Sequence, residues 1–251
     1  MKRSRWLDRT LIALTVLVLA GLGFVLWPKP TPTIATKPGD VQIDRPPPLV
    51  EDRPTALFVT DSYAAGIGLA ENYYGCRAAV RMGWFCALSA EPGTGYVSGG
   101  PANRFDLGEG EKSKSFNERL PGLRKMTHPE IVVFDGGRSD DFVPKDAEFD
   151  VMLATLTEAR RLWPASKIVF IRPRILSDPA NDLGFDDEFI ANLQAQPDLN
   201  IVVVDPIRRF AGMNTSGLLT DKGTAPNQPG EIVLAAALFD SLSDNGFAPK
   251  T

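Results

Sequence analysis

Leu57-Phe58-Val59-Thr60-Asp61-Ser62-Tyr63-Ala64-Ala65-Gly66 is the stretch on which the fold turns. An apolar run with β-type side chains stops at Asp61-Ser62 and passes through small residues into a segment of helical character, which is how α/β hydrolytic folds display a serine nucleophile. Downstream, apolar β-rich runs alternate with segments of helical period. Strands are predicted at Ala56 to Val59, Phe85 to Ser89, Ile131 to Phe134, Lys167 to Ile171 and Ile201 to Val204. Helices are predicted over Leu69 to Met82, about Ala147 to Trp163 and about Gly230 to Leu242. In the second, Phe149, Met152, Leu153, Leu156 and Trp163 share one face. This alternation predicts an α/β fold, a doubly wound, flavodoxin-like three-layer sandwich around a mostly parallel five-stranded sheet. Sites in such sheets lie beyond the carboxyl ends of the strands. That rule selects Asp61 and Ser62, the loop at Gly93 and the loop at Gly137, to which the segment before the last helix is added.

The chain has 251 residues, 43% of them apolar, and a formal net charge of -4. That suits one domain of ordinary size with appendages. No basic stripe is present to track phosphates, which argues against a nucleic-acid partner. Residues 1–9 carry Lys2, Arg3, Arg5 and Arg9, and residues 10–27 form an uncharged, mostly apolar run. A helix of that length matches a bilayer's hydrocarbon thickness, and the basic flank predicts a cytoplasmic N-terminus with the domain on the extracytoplasmic side of the cell membrane. The alternative is a cleaved signal peptide, with Val18-Leu19-Ala20 as a loose cleavage site. Continuation of the apolar run through Leu22, Phe24, Val25 and Leu26 favours a retained single-pass anchor. Residues 28–54 are rich in Pro, Thr, Lys and Asp and read as an extended linker. The domain is then 55–251. Cys76 and Cys86, the only cysteines, read as a local disulfide in an exported domain, against the alternative of two buried thiols. No metal or other cofactor is implied, and the glycines at 99, 100, 108 and 110 lack the strand-to-helix setting of a phosphate loop.

Four segments together resemble the SGNH, or GDSL-type, hydrolases: esterases, lipases and acyl transferases. The first is Thr60-Asp61-Ser62, where the resemblance makes Ser62 the nucleophile and the family's glycine is replaced by Thr60. The second is Glu91-Pro92-Gly93-Thr94-Gly95-Tyr96, similar to the Gly-Thr-Gly-Tyr version of actinobacterial members. Its glycine would supply an oxyanion-stabilising N–H, at Gly93; a register with Pro92 at that position would leave no donor. The third is Gly137-Arg138-Ser139-Asp140, where Ser139 stands for the family's oxyanion-binding asparagine with a shorter side chain. The fourth is Lys222-Gly223-Thr224-Ala225-Pro226-Asn227, in which Lys222 and Ala225 occupy the places of the triad aspartate and histidine. A shift by one residue recruits Asp221 but no histidine.

The single histidine, His128, precedes the strand at Ile131 and so lies at the wrong edge of the sheet, on the order of 20 Å from the loops. Without a base a serine hydroxyl is a poor nucleophile. The resemblance therefore implies a degenerate member: an envelope pseudoenzyme that binds a glycan or lipid, or scaffolds a protein complex. The alternative is an active esterase or O-acyl transferase in which Lys222 or an aspartate serves Ser62 as an atypical base. Asp61 is expected to tie the turn, and Asp140 to accept hydrogen bonds from neighbouring loop amides.

Overall fold

The structure, a computed structural model, describes residues 53–64, 69–223 and 225–249. The expected basic segment 1–9, span 10–27 and almost all of the linker lie outside the described residues. Among the described residues no helix is long and apolar enough to cross a membrane.

In chain order the elements are β1 (Thr55–Thr60), α1 (Tyr74–Arg81), β2 (Phe85–Ala90), β3 (Asp106–Gly108), β4 (Glu111–Lys112), α2 (Phe116–Met126), β5 (Ile131–Asp135), α3 (Lys145–Leu162), β6 (Lys167–Ile171), α4 (Asp187–Gln194), β7 (Ile201–Val204) and α5 (Gln228–Asp244). β3 and β4 form a small antiparallel ribbon. The other five strands make one sheet in the order β2-β1-β5-β6-β7, and every pairing in it is parallel. All five predicted strands are in it.

Alternation along the strands assigns the two faces, because successive side chains point to opposite sides of a pleated sheet. Ala56, Phe58, Ile131, Val133, Val169 and Ile171 pack with Ala78 and Ala79 of α1 and with Leu234, Leu238 and Leu242 of α5. Leu57, Val59, Val132, Phe134, Ile168 and Phe170 pack on the other side with Leu120, Met152, Leu156 and Leu193 from α2, α3 and α4. The three layers follow from runs that are apolar on both faces, as central parallel strands require.

Two helices were not expected from the sequence. α2 contains Pro121 in its interior, and Gly122 follows it, so it reads as a broken segment; Glu118 Oε2 nevertheless accepts the Ser115 N–H at 3.1 Å and starts the helix. α4 has only 8 residues and is capped by Asp186, whose carboxylate accepts the Phe189 N–H. The single helix expected over Leu69 to Met82 is instead a 3-10 turn, Ala70–Asn72, and α1, parted by an extended Tyr73 (φ -72°, ψ 132°). The extended residue sends the Tyr73 phenol to Asp135 and leaves the Tyr74 N–H to the Glu231 carboxylate, each at 2.5 Å. Cys76 and Cys86 are joined in a disulfide that ties α1 to β2.

Candidate functional site

Ser62 stands exposed where β1 ends. Asp61 closes the turn beneath it: its carbonyl accepts the Ala64 N–H at 3.3 Å and its Oδ1 accepts the Tyr63 N–H at 2.9 Å. The loop after β2 meets the serine. Gly93 donates its N–H to Ser62 Oγ at 2.8 Å, so the amide facing the serine belongs to Gly93 and not to Pro92, which has none. Gly93 holds φ +71°, a left-handed conformation that favours glycine, and its carbonyl accepts the Ser98 hydroxyl at 2.7 Å.

Asp140 fixes the same loop. Its buried carboxylate accepts N–H groups from Tyr96 (2.7 Å), Val97 (3.2 Å) and Ser98 (2.7 Å). Burial raises its pKa, and the three amides counteract the rise. Gly95 makes this approach possible, since a Cβ there would lie 2.2 Å from Asp140 Oδ2. Ser139, half-buried, makes no side-chain hydrogen bond among the described residues. Gly137, at φ +110°, turns the chain so that Arg138 points inward.

Arg138 is the centre of a buried network. Nη1 bonds both oxygens of Asp61 (3.3 and 3.1 Å), Nη2 bonds Asp135 Oδ1 (2.7 Å), and Nε bonds the Arg174 carbonyl (2.8 Å). The guanidinium lies 4.1 Å above the Tyr63 ring. Asp135 Oδ2 also accepts the phenols of Tyr73 (2.5 Å) and Tyr74 (2.6 Å). Burial alone would lower the Arg138 pKa, but Asp135 and Asp61 hold it well above the ordinary arginine value. Asp61 moves up because burial outweighs the pull of Arg138. Two carboxylates share one cation here, and each phenol is driven upward first by burial and then by Asp135.

The segment before α5 is a tight turn. Gly223 N–H donates to the Thr220 carbonyl (2.7 Å) and Thr220 N–H to Ala225 (2.9 Å). Asn227 caps α5 through the Gly230 N–H and also donates to the carbonyls of Gly217 and Leu219. Lys222 is exposed in this turn, with no side-chain hydrogen bond or ion pair among the described residues; Ala225 is half-buried. His128 is exposed at the opposite edge of the sheet. Among the described residues no carboxylate, imidazole or amine bonds Ser62 Oγ, and no group of three or more potential ligands is placed to hold a metal ion.

The structure thus brings Asp61, Ser62, Gly93, Arg138 and Asp140 into one constellation. Sequence reasoning missed Tyr63, Tyr73, Tyr74 and Asp135 as parts of it; Asp135, an acid ending a buried strand, was the available signal. Arg172 and Arg174, after β6, are buried too, but their guanidiniums are already taken by Asp182, Asp187 and Asp205.

A serine at the first turn of a parallel sheet in this order, faced by a glycine amide from the second loop, belongs to a fold similar to that of solved GDSL-type lipolytic proteins and esterases. A GDSL-family lipolytic protein from Desulfitobacterium hafniense superposes with a TM-score of 0.58 at 14% identity, over 75% of this chain and 99% of that one. A family two carbohydrate esterase from Clostridium thermocellum in complex with cellohexaose gives 0.59 at 16%, over 77% and 65%. A carbohydrate acetylesterase from Sinorhizobium meliloti gives 0.55 at 12%, over 77% and 100%. No family model matches the sequence, and the search of curated proteins finds no relative.

Proposed function

We propose that this chain is a membrane-anchored, extracytoplasmic SGNH hydrolase-like domain that has lost ester hydrolysis and serves as a binding or scaffolding protein of the cell envelope. One observation carries the reading. Ser62 Oγ is engaged by the Gly93 N–H, while no described side chain is placed to take its proton. A serine without a base loses roughly a millionfold in turnover in the worked serine-protease case. Lys222 and Ala225 stand where the resemblance puts the orienting aspartate and the base, and Ser139 stands where it puts the second oxyanion donor. The pocket residues Asp61, Gly137, Arg138 and Asp140 retain a scaffold role, holding the loops that frame the serine. The similar solved structures include two carbohydrate esterases, which makes an envelope glycan the first ligand class to test and a lipid the second.

The second reading is an active ester hydrolase or O-acyl transferase. It is favoured by the Gly93 amide, which meets the serine and stands where the resemblance puts an oxyanion donor. In it Ser62 would use an atypical base, Lys222 or an aspartate. Labelling of the membrane-extracted chain with a fluorophosphonate separates the two readings. The expected result is no labelling above the Ser62→Ala background and no turnover of acetyl or acyl esters. Ser62-dependent labelling together with turnover sinks the inactive reading.

A further inference from the structure

We propose that the groove between α1 and α5 is a self-association face, closed by a second copy of this chain related by a two-fold axis. The groove has a volume of about 440 Å³, and Val80 of α1 and Ile232 and Ala236 of α5 line it. Residues 232 and 236 lie one turn apart on the same side of α5. Val80 is 64% exposed and Ile232 52%, and neither belongs to the core cluster beneath the two helices. This association depends on neither the anchor nor the state of Ser62.

Charge selects the occupant. Glu71, Arg77 and Arg81 also line the groove. Arg77 is held within its own copy, its Nε bonded to the Asn72 carbonyl (3.2 Å) and its Nη2 to Asn72 Oδ1 (3.3 Å). Glu71 and Arg81 have no ion pair among the described residues. Glu71 sits in the 3-10 turn before α1 and Arg81 in the last turn of α1. The 8 residues of that helix, on the order of 12 Å of axis, therefore separate the two signs. The Arg81 guanidinium is drawn over Phe239 of α5, 4.2 Å from the ring centre, which keeps it on the helical face.

The remaining charges of these elements lie elsewhere. Glu231 is turned inward to the Tyr74 N–H, Asp240 pairs with Arg209 at 2.8 Å, and Asp244 ends α5 about two turns beyond Ala236. Glu51 and Asp52 precede Arg53 and lead into β1 in the sequence. What matters on the face is the order of the signs along α1, not their sum.

An apolar groove with an acid at one end and a base at the other is complementary to itself turned over. A two-fold axis through the middle of α1 lays the second α1 antiparallel to the first. It sets each Glu71 against Arg81 of the other copy and covers Val80 and Ile232 in the same contact. A partner of another sequence would have to match both signs at the same spacing, whereas a second copy carries them already.

The test is sedimentation of the full chain in detergent over a range of protein concentrations. Wild type is expected to run as a dimer that dissociates on dilution. Arg81→Glu and Glu71→Arg are each expected to weaken association roughly tenfold or more, because a two-fold contact holds the pair twice and each replacement sets like charges together. The two variants mixed are expected to associate at close to wild-type strength, since acids then face bases in both pairs. Positions 71 and 81 are not paired within one chain, so recovery on mixing comes only from contact between copies. Ile232→Glu is expected to leave monomers. A wild type that stays monomeric at every concentration, whether the groove then holds a lipid chain, another protein or nothing, overturns the proposal. So does a dimer indifferent to both charge variants, or a mixture of the two that fails to associate.

Discussion

Arg138 decides more of this molecule than Ser62 does. It joins the turn after β1 through Asp61, the end of β5 through Asp135 and the loop after β6 through the Arg174 carbonyl, all away from water. Replacing one member of a buried ionic cluster strands the others, which costs about 3–5 kcal/mol in comparable cases. Arg138→Met is therefore expected to lower the unfolding free energy measured by urea titration by that much, and Arg138→Lys by less, since lysine keeps the charge but not the fork. Similar midpoints for wild type and Arg138→Met would show that the network contributes no stability. Ser62 and Gly93 were legible in the sequence because each sits just after an apolar run. The partners of Arg138 were not, because Tyr73 and Tyr74 are distant in sequence and only the pairing of β1 with β5 brings Asp61 beside Asp135.

At the scale of elements, the five strands could be read from their apolar runs, whereas α2 and α4 could not. α2 hides behind Pro121 and Gly122, two poor interior helix residues that packing on Leu120 and Leu123 overrides. α1 is only 8 residues long, too short to persist by itself in water. It depends on its contacts with α5 and β2 and on the Cys76–Cys86 bridge. The cysteines are 10 residues apart, and a closed loop of that size stabilises a fold by about 2–3 kcal/mol in the chain-entropy account. Cys76→Ser with Cys86→Ser is expected to lose about that much in urea unfolding while the circular dichroism of the native state is retained. An unchanged midpoint would count against the bridge as a support of α1.

Across the whole molecule, buried acids set the response to pH. Burial pushes Glu148 up to about 7 and Glu231 up to about 8, from 4.5. Neither Glu148 Oε1 nor Glu231 Oε1 has a hydrogen-bond partner among the described residues. Asp61 and Asp140 shift in the same direction. Between about pH 4.5 and 8 the folded chain thus holds more protons than the unfolded one, so stability is full below 4.5 and declines as pH rises through 7 and 8. Exposed Asp106 and Asp187 and half-buried Glu158 are shifted down and act oppositely, in more acid solution and with solvent screening. The thermal midpoint is expected to be higher at pH 5.5 than at pH 8.5, and Glu231→Gln is expected to flatten that difference. A midpoint that rises toward pH 8.5 would contradict the burial account.

The place where the chain enters has a mechanical meaning. Arg53 leads directly into β1, which is hydrogen-bonded along its length to β2 on one side and β5 on the other. A pull applied at Arg53 along the direction of β1 loads both ladders in shear, so their bonds share the force instead of opening one after another. Force applied at that point is resisted first by the strand that carries Ser62 at its far end.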